Sequence, residues 1–300
     1  MQRNIRTDLA VESDALWQKN ADETARIEGV RAETKQKNGF TVTTVEILSE
    51  AGERALGKPK GKYITVDLDA FLRREENAFA EACDLLAQEL CSFHELEISG
   101  NYLVVGLGNR GITPDAIGPE TVDRIMVTRH LKQRLPDDFA AFQPVSAVCS
   151  GVLGTTGIES SALVHAIVEK VHPSLVIAVD ALASRAPDRL CRSVQIADTG
   201  IVPGSGVGNA RQCLNRESLG VPVLAIGVPT VVDAATLALD LAARSGAELD
   251  PAAFGEVGGM IVTPRDIDKN VKDIAKLIGY SINLALHKGL TLEDVDMFLS

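Results

Sequence analysis

Tyr102-Leu-Val-Val-Gly-Leu-Gly-Asn-Arg-Gly-Ile-Thr-Pro-Asp115 is the stretch on which the fold of this chain turns. Its first half is an apolar, β-branched run, the pattern of a strand buried on both faces of a parallel sheet. Its second half is turn chemistry that delivers an aspartate. Leu175-Val-Ile-Ala-Val-Asp180 repeats the arrangement. Open α/β sheets bind ligands at the carboxyl ends of their strands. Two acids at one sheet edge can share a proton and work as acid and base.

Working outward, strands and helices alternate from Tyr102 onward: strands at 102–106, 175–179 and 221–227, helices at 116–134, 161–172 and 233–244. This alternation predicts a mainly parallel sheet in a three-layer α/β/α arrangement. Asp266–Lys288 reads as a long final helix, and Thr291-Leu-Glu-Asp294 as a capping box for a last short turn. The first quarter differs. Residues 1–37 are polar, and the spacing predicts a helix from about Ser13 to Gln36. Gly39–Leu48 alternates as a half-buried strand, Gly57–Lys62 is a loop, Tyr63–Leu68 a second strand, and Phe71–Leu90 has helical spacing. The expected organisation is a small strand-containing extension over 9–100 and a core sheet over 101–300, within one domain.

Composition narrows the function. The 300 residues carry a formal net charge of −11, which argues against a surface built to hold nucleic-acid phosphates. No apolar run approaches membrane-spanning length, and Met1–Arg6 leads into no secretory signal. The five cysteines are scattered without C-x-x-C, as reduced thiols of a cytoplasm-like compartment.

Several motifs compete for the chemistry. Gly106-Leu-Gly-Asn-Arg-Gly111 formally matches a dinucleotide fingerprint, but Thr113-Pro114 delays the helix that such a site needs. The plainer reading is a tight turn above a strand. Gly200-Ile-Val-Pro-Gly-Ser-Gly-Val-Gly-Asn209 is a long glycine-rich loop suited either to substrate binding or to plain connection. Asp198-Thr199-Gly200 resembles the triplet of pepsin-like proteases, yet those are all-β and use two copies. Asp115 and Asp180 each also fit as helix caps; both together, at equivalent strand ends, favour function. No histidine lies between His172 and His287, so neither a metal nor another cofactor is expected. Cys149-Ser-Gly151 lacks an identifiable histidine, and no G-x-S-x-G occurs.

The ordered strings Arg6-Thr-Asp-Leu-Ala-Val-Glu12, Val105–Asn109, Thr113–Pro119, Val127–His130, Gly154–Glu159, Val179–Ala183, Thr199–Asn209, Gly227–Ala234 and Val262–Pro264 resemble the germination protease family of spore-forming bacteria. The resemblance runs from residue 4 to the end. It implies an atypical aspartic endopeptidase that degrades small acid-soluble spore proteins, in the cytoplasm of the forespore or spore core. It implies a zymogen that processes itself, a homotetramer, and a fold similar to the hydrogenase-maturation proteases. The family's two catalytic aspartates map onto Asp115 and Asp180. Asn109 and backbone amides at Gly204, Ser205 and Gly206 are candidates for the oxyanion. The family's substrates are cut after the first acid of a sequence like Thr-Glu-Phe-Ala-Ser-Glu. Thr7-Asp-Leu-Ala-Val-Glu12 has the same arrangement, which predicts self-processing between Asp8 and Leu9 and an eight-residue propeptide. Two other readings remain: an esterase like peptidyl-tRNA hydrolase, which shares Gly-Leu-Gly-Asn after a strand, and a nickel-dependent maturation peptidase, for which the histidine ligand is missing.

Overall fold

A computed structural model describes residues 7–20, 27–97, 100–204, 212–247 and 260–300. Its frame is a mixed sheet that, among the described residues, has nine strands. Four are parallel: β4 (Tyr102–Leu107), β5 (Val145–Gly151), β6 (Leu175–Ser184) and β8 (Val223–Asp233), side by side in the order β8-β6-β4-β5. Beyond β8 the sheet turns antiparallel, through β7 (Ser193–Ala197), β3 (Gly61–Asp67), β2 (Phe40–Ile47) and β1 (Val30–Lys37). A short β9 (Ile261–Val262) pairs with the end of β8. The strands of the expected extension therefore continue the main sheet, and the parallel part is only half of it. The link is β7, a five-residue strand too short to stand out in the sequence.

Helices cover both faces. On one lie α4 (Ala78–Cys91), α5 (Ile117–Val122) and α11 (Ile267–Leu286), packed over Val104, Ile177, Val179 and Ile226. On the other lie α8 (Ser160–Val171) and α9 (Arg216–Leu219), over Leu103, Val105, Val176 and Ala178. The alternation of inward residues along β4 and β6 assigns neighbouring side chains to opposite cores.

Three expectations change. The helix from Ser13 to Gln36 is instead α1 (Ala10–Asn20), with β1 beginning at Val30. Asn38 and Gly39 take φ of 49° and 79°, the left-handed pair of a tight hairpin, and this forces residues 30–37 back along β2. The charged side chains that imitated an exposed helix belong to an edge strand, where lysine and glutamate discourage pairing with other chains. The helix expected over 116–134 is two: α5, and α6 (Arg129–Arg134). Finally, β6 does not stop at Val179. Its ladder with β4 ends there, but its ladder with β8 runs on to Ser184, so Asp180 sits within a strand.

Candidate active site

Asp115 and Asp180 meet where β4 gives out and β6 continues. After β4, the chain turns through Asn109 and enters a short 3-10 turn, Thr113–Asp115, with Pro114 setting its start. The Asn109 backbone N–H donates to Asp115 Oδ2 at 2.7 Å. The Asn109 side chain closes its own loop, its Oδ1 accepting from Gly111 N–H at 2.9 Å. Next comes α5, which lies backbone to backbone on the end of β4 and the middle of β6. A Cβ on Gly118 would lie 2.3 Å from the Leu107 carbonyl oxygen and 2.5 Å from that of Val179. Only glycine permits that approach.

Asp180 is buried, at 5% exposure, and its Oδ1 accepts the Ala181 N–H at 2.9 Å. Burial pushes its carboxyl well above the ordinary aspartate range; the charge of Asp115 adds to this, the Ala181 N–H opposes it, and Asp8 adds a smaller push upward. Asp115 is half-buried. Burial raises it too, against the Asn109 N–H, which favours the carboxylate. The environments thus push the two acids apart: Asp115 ionises first, and its charge keeps the proton on Asp180.

The N-terminal segment docks along the continuation of β6, beyond the end of its ladder with β4. Asp8 N–H donates to the Ala183 carbonyl at 2.9 Å, and Ala183 N–H donates to Asp8 Oδ2 at 2.9 Å. Leu9 is fully buried among the apolar residues under α8, in the cluster that holds Leu107, Leu182 and Leu214. Glu12 is buried, its carboxylate accepting from Arg185 N–H at 2.8 Å and Ala186 N–H at 3.0 Å, and also from the Thr7 hydroxyl. Lys58 Nζ, on the loop before β3, donates to the Thr7 carbonyl at 3.2 Å. Burial lowers the Lys58 ammonium, while Asp8 and Glu12 pull it back up. Gln195, on β7, holds the segment from both sides of Leu9: Ala10 N–H donates to its Oε1 at 2.8 Å, and its Nε2 donates to the Asp8 carbonyl at 3.3 Å.

The structure therefore brings Asp115, Asp180, Asp8 and Leu9 to one place, with Asn109 supporting Asp115. Gly204 closes the described part of its loop, and Ser205 and Gly206 lie outside the described residues. Asp198 stands apart as a clasp between strands, its Oδ1 accepting the Lys62 N–H at 2.8 Å. Cys149 lies 3.9 Å from Arg110 Nη2, and burial raises its thiol. Among the described residues, no three His, Cys, Asp or Glu side chains gather closely enough to hold a metal ion, and no helix is long and apolar enough to cross a membrane. The sequence singles out neither Lys58 nor Gln195, and it marks Ala183 only as the end of the string Val179–Ala183. For Gln195 a signal existed: an amide within the apolar run Ser193-Val-Gln-Ile-Ala197 has to find partners when buried.

The molecule is an α/β protein with two differently buried acids at one strand edge, and comparison with known proteins gives the family. The germination protease profile matches residues 6–243. Germination proteases of Clostridium perfringens and of Caldanaerobacter subterraneus subsp. tengcongensis are each 42% identical to the chain, the first covering 99% of both sequences and the second 98% of both. That of Bacillus cereus is 36% identical, over 95% of this chain and 94% of its own. Among solved structures, the NiFe hydrogenase maturation protease HycI from Thermococcus kodakarensis KOD1 matches at 19% identity with a TM-score of 0.34, covering 61% of this chain and 92% of that one. The chain belongs to the germination protease family, and it is a protease acting on protein substrates.

Proposed function

We propose that this protease is an aspartic-type endopeptidase whose catalytic pair is Asp115 and Asp180. Asp115, ionised, takes a proton from water as the water oxygen adds to the peptide carbonyl carbon. Asp180, protonated, hydrogen-bonds toward the carbonyl oxygen as charge builds on it and gives its proton to the leaving amine as the C–N bond breaks. One proton of the water stays with the new carboxyl group, the other passes from Asp115 back to Asp180 and resets the pair, and no covalent enzyme intermediate forms. Asn109 serves by fixing Asp115 through its backbone N–H.

The same reading makes the chain a zymogen that cuts itself between Asp8 and Leu9, releasing residues 1–8 and leaving 9–300 as the peptidase. The observation that carries it is the docking of Thr7–Glu12 along β6, three residues past Asp180, with Leu9 in an apolar pocket and both flanking acids on backbone N–H groups. A protease that holds its own acid–apolar–alanine segment in this way is suited to the matching segment in small acid-soluble spore proteins. Those are the substrates we assign, in the forespore or spore core, with a homotetramer as the working form.

The test is the mass of the N-terminus over time. Loss of residues 1–8, abolished in Asp115→Asn and in Asp180→Asn, is the expected result. A chain that stays whole, is cut elsewhere, or is processed equally fast by either variant would overturn the proposal. In Leu9→Asp, a charge enters the apolar pocket, and processing should fail.

A further inference from the structure

Gln195 lies in the same cross-strand row as Asp180. On β8, Gly227 is paired with Asp180 of β6 on one side and with Gln195 of β7 on the other. Residues paired across a sheet point to the same face, so Asp180 and Gln195 flank Gly227 on one surface. Strand spacing sets them about 10 Å apart, backbone to backbone. The strand between them contributes no side chain at that level, and a Cβ there would run into Leu182 Cδ1 at 2.3 Å. The Leu182 side chain fills the space this leaves over Gly227, and Asp8–Ala10 lies over this face, with Leu9 in the same apolar cluster as Leu182.

The orientation of the Gln195 amide is fixed by chemistry. Ala10 N–H can only donate, so the atom facing it at 2.8 Å is the carbonyl oxygen. The NH2 end is thereby aimed at the Asp8 carbonyl, 3.3 Å away. The side chain is 7% exposed and belongs to a strand hydrogen-bonded on both sides, so it cannot swing off without breaking both contacts. The Asp8 carbonyl is the one whose carbon would be attacked.

We propose that Gln195 is a catalytic residue of the self-processing reaction: its Nε2–H stabilises the negative charge that develops on the Asp8 carbonyl oxygen, while its Oε1 registers the bond through Ala10 N–H. This rests on the reading that the chain cuts itself between Asp8 and Leu9. The roles divide across the row. Water attacks from the side of the Asp115–Asp180 pair, and electron density moves onto the carbonyl oxygen. Gln195 then donates a hydrogen bond without transferring a proton. When the C–N bond breaks, the charge returns to the carbonyl and the Leu9 amine leaves protonated. A preformed donor of this kind contributes about 10²- to 10³-fold in rate. The Asn109 side-chain oxygen is turned into its own loop, where it accepts from Gly111 N–H.

The experiment measures the first-order rate of residue 1–8 release in full-length Gln195→Met and Gln195→Glu, with hydrogen exchange at the Leu9 and Ala10 amides as a gauge of docking. Gln195→Met removes donor and acceptor; Gln195→Glu keeps an acceptor for Ala10 N–H. The expected result is a loss of about a hundredfold in both, well beyond the fraction of segment undocked, with the glutamate variant docked like the parent. Should Gln195→Met fail to fold, Gln195→Glu alone decides. A rate within threefold of the parent, or a loss that only follows undocking, overturns the assignment while leaving the Asp115–Asp180 reading intact. If the parent itself does not cut at Asp8–Leu9, the underlying reading fails instead.

Discussion

At the residue scale the two aspartates differ in what surrounds them, and that difference has measurable consequences. Asp115 has a backbone N–H to support its charge; Asp180 is deeper and faces that charge. Replacing either with asparagine should lower proteolysis and self-processing by at least about 10³-fold, near the upper range for losing a positioned acid or base. The fold should survive, because an asparagine at 180 keeps an oxygen for Ala181 N–H. Asp180→Asn should in fact melt higher than the parent. A carboxyl raised above its ordinary value of 3.8 binds its proton more tightly folded than unfolded, so stability falls as pH rises from 3.8 toward the folded value. The amide escapes that loss. Thermal melts of the two proteins at pH 4 and pH 7 check this: the gap should open at the higher pH, and equal melting at pH 7 would contradict the burial argument. Both acids were legible as the ends of apolar runs. Gln195 was not, because its partners are 187 and 185 residues away, and no spacing rule reaches that far.

At the element scale, legibility followed locality. β2, β4, α8 and the capping box at Thr291 are each specified by their own residues, and each lies where the pattern puts it. β1 and β7 depend on neighbours far along the chain, and their polar or short sequences disguise them. The junction of α5 with β4 and β6 depends on Gly118. Gly118→Ala has to push α5 off β4 and β6, with backbone oxygens closer than 2.6 Å to the new carbon. We expect a loss of a few kcal/mol, as for overpacking of a rigid core, and slower processing because Asp115 rides on the turn just before α5. Urea unfolding and the processing rate measure the two effects. His287, at the end of α11, gives the opposite pH signature to Asp180. Its Nδ1 accepts the Gln143 N–H at 3.2 Å, and burial, with Lys132 nearby, pulls it from 6.5 down to about 4. A depressed histidine contributes stability that is present above its unfolded value and lost as pH falls through 6.5 toward 4. The shift corresponds to about 3 kcal/mol. His287→Gln should be less stable than the parent at pH 7 and the gap should shrink by pH 4; an unchanged gap in denaturant melts would count against it.

At the scale of the whole molecule the question is what remains uncovered once the chain has folded. The sequence offers two apolar helical surfaces for assembly, Ala234–Ala243 and Ile274–Leu286. The second is used internally: α11 is buried over most of its length against α4, α5 and the sheet. The first is different. On α10 (Ala234–Arg244), Leu241 is 54% exposed, and beside the start of this helix Met260 and Ile261 are 61% and 44% exposed, with Ala234 N–H bonded to the Met260 carbonyl. We propose that these exposed apolar side chains, on an otherwise strongly acidic protein, contribute to contacts between copies. Self-association of a chain carrying −11 also has to overcome repulsion, so it should strengthen with salt if the contact is apolar and weaken if it is ionic. We expect sedimentation to show about 128 kDa, four copies of the 31.9 kDa chain, at micromolar concentration and to hold that value in 0.5 M salt. Leu241→Asp combined with Ile261→Asp places charges on the exposed apolar surface without touching either core, and should yield smaller species with unchanged secondary structure. A parent that sediments as a stable monomer, or variants that remain tetrameric, would remove α10 and β9 from the interface.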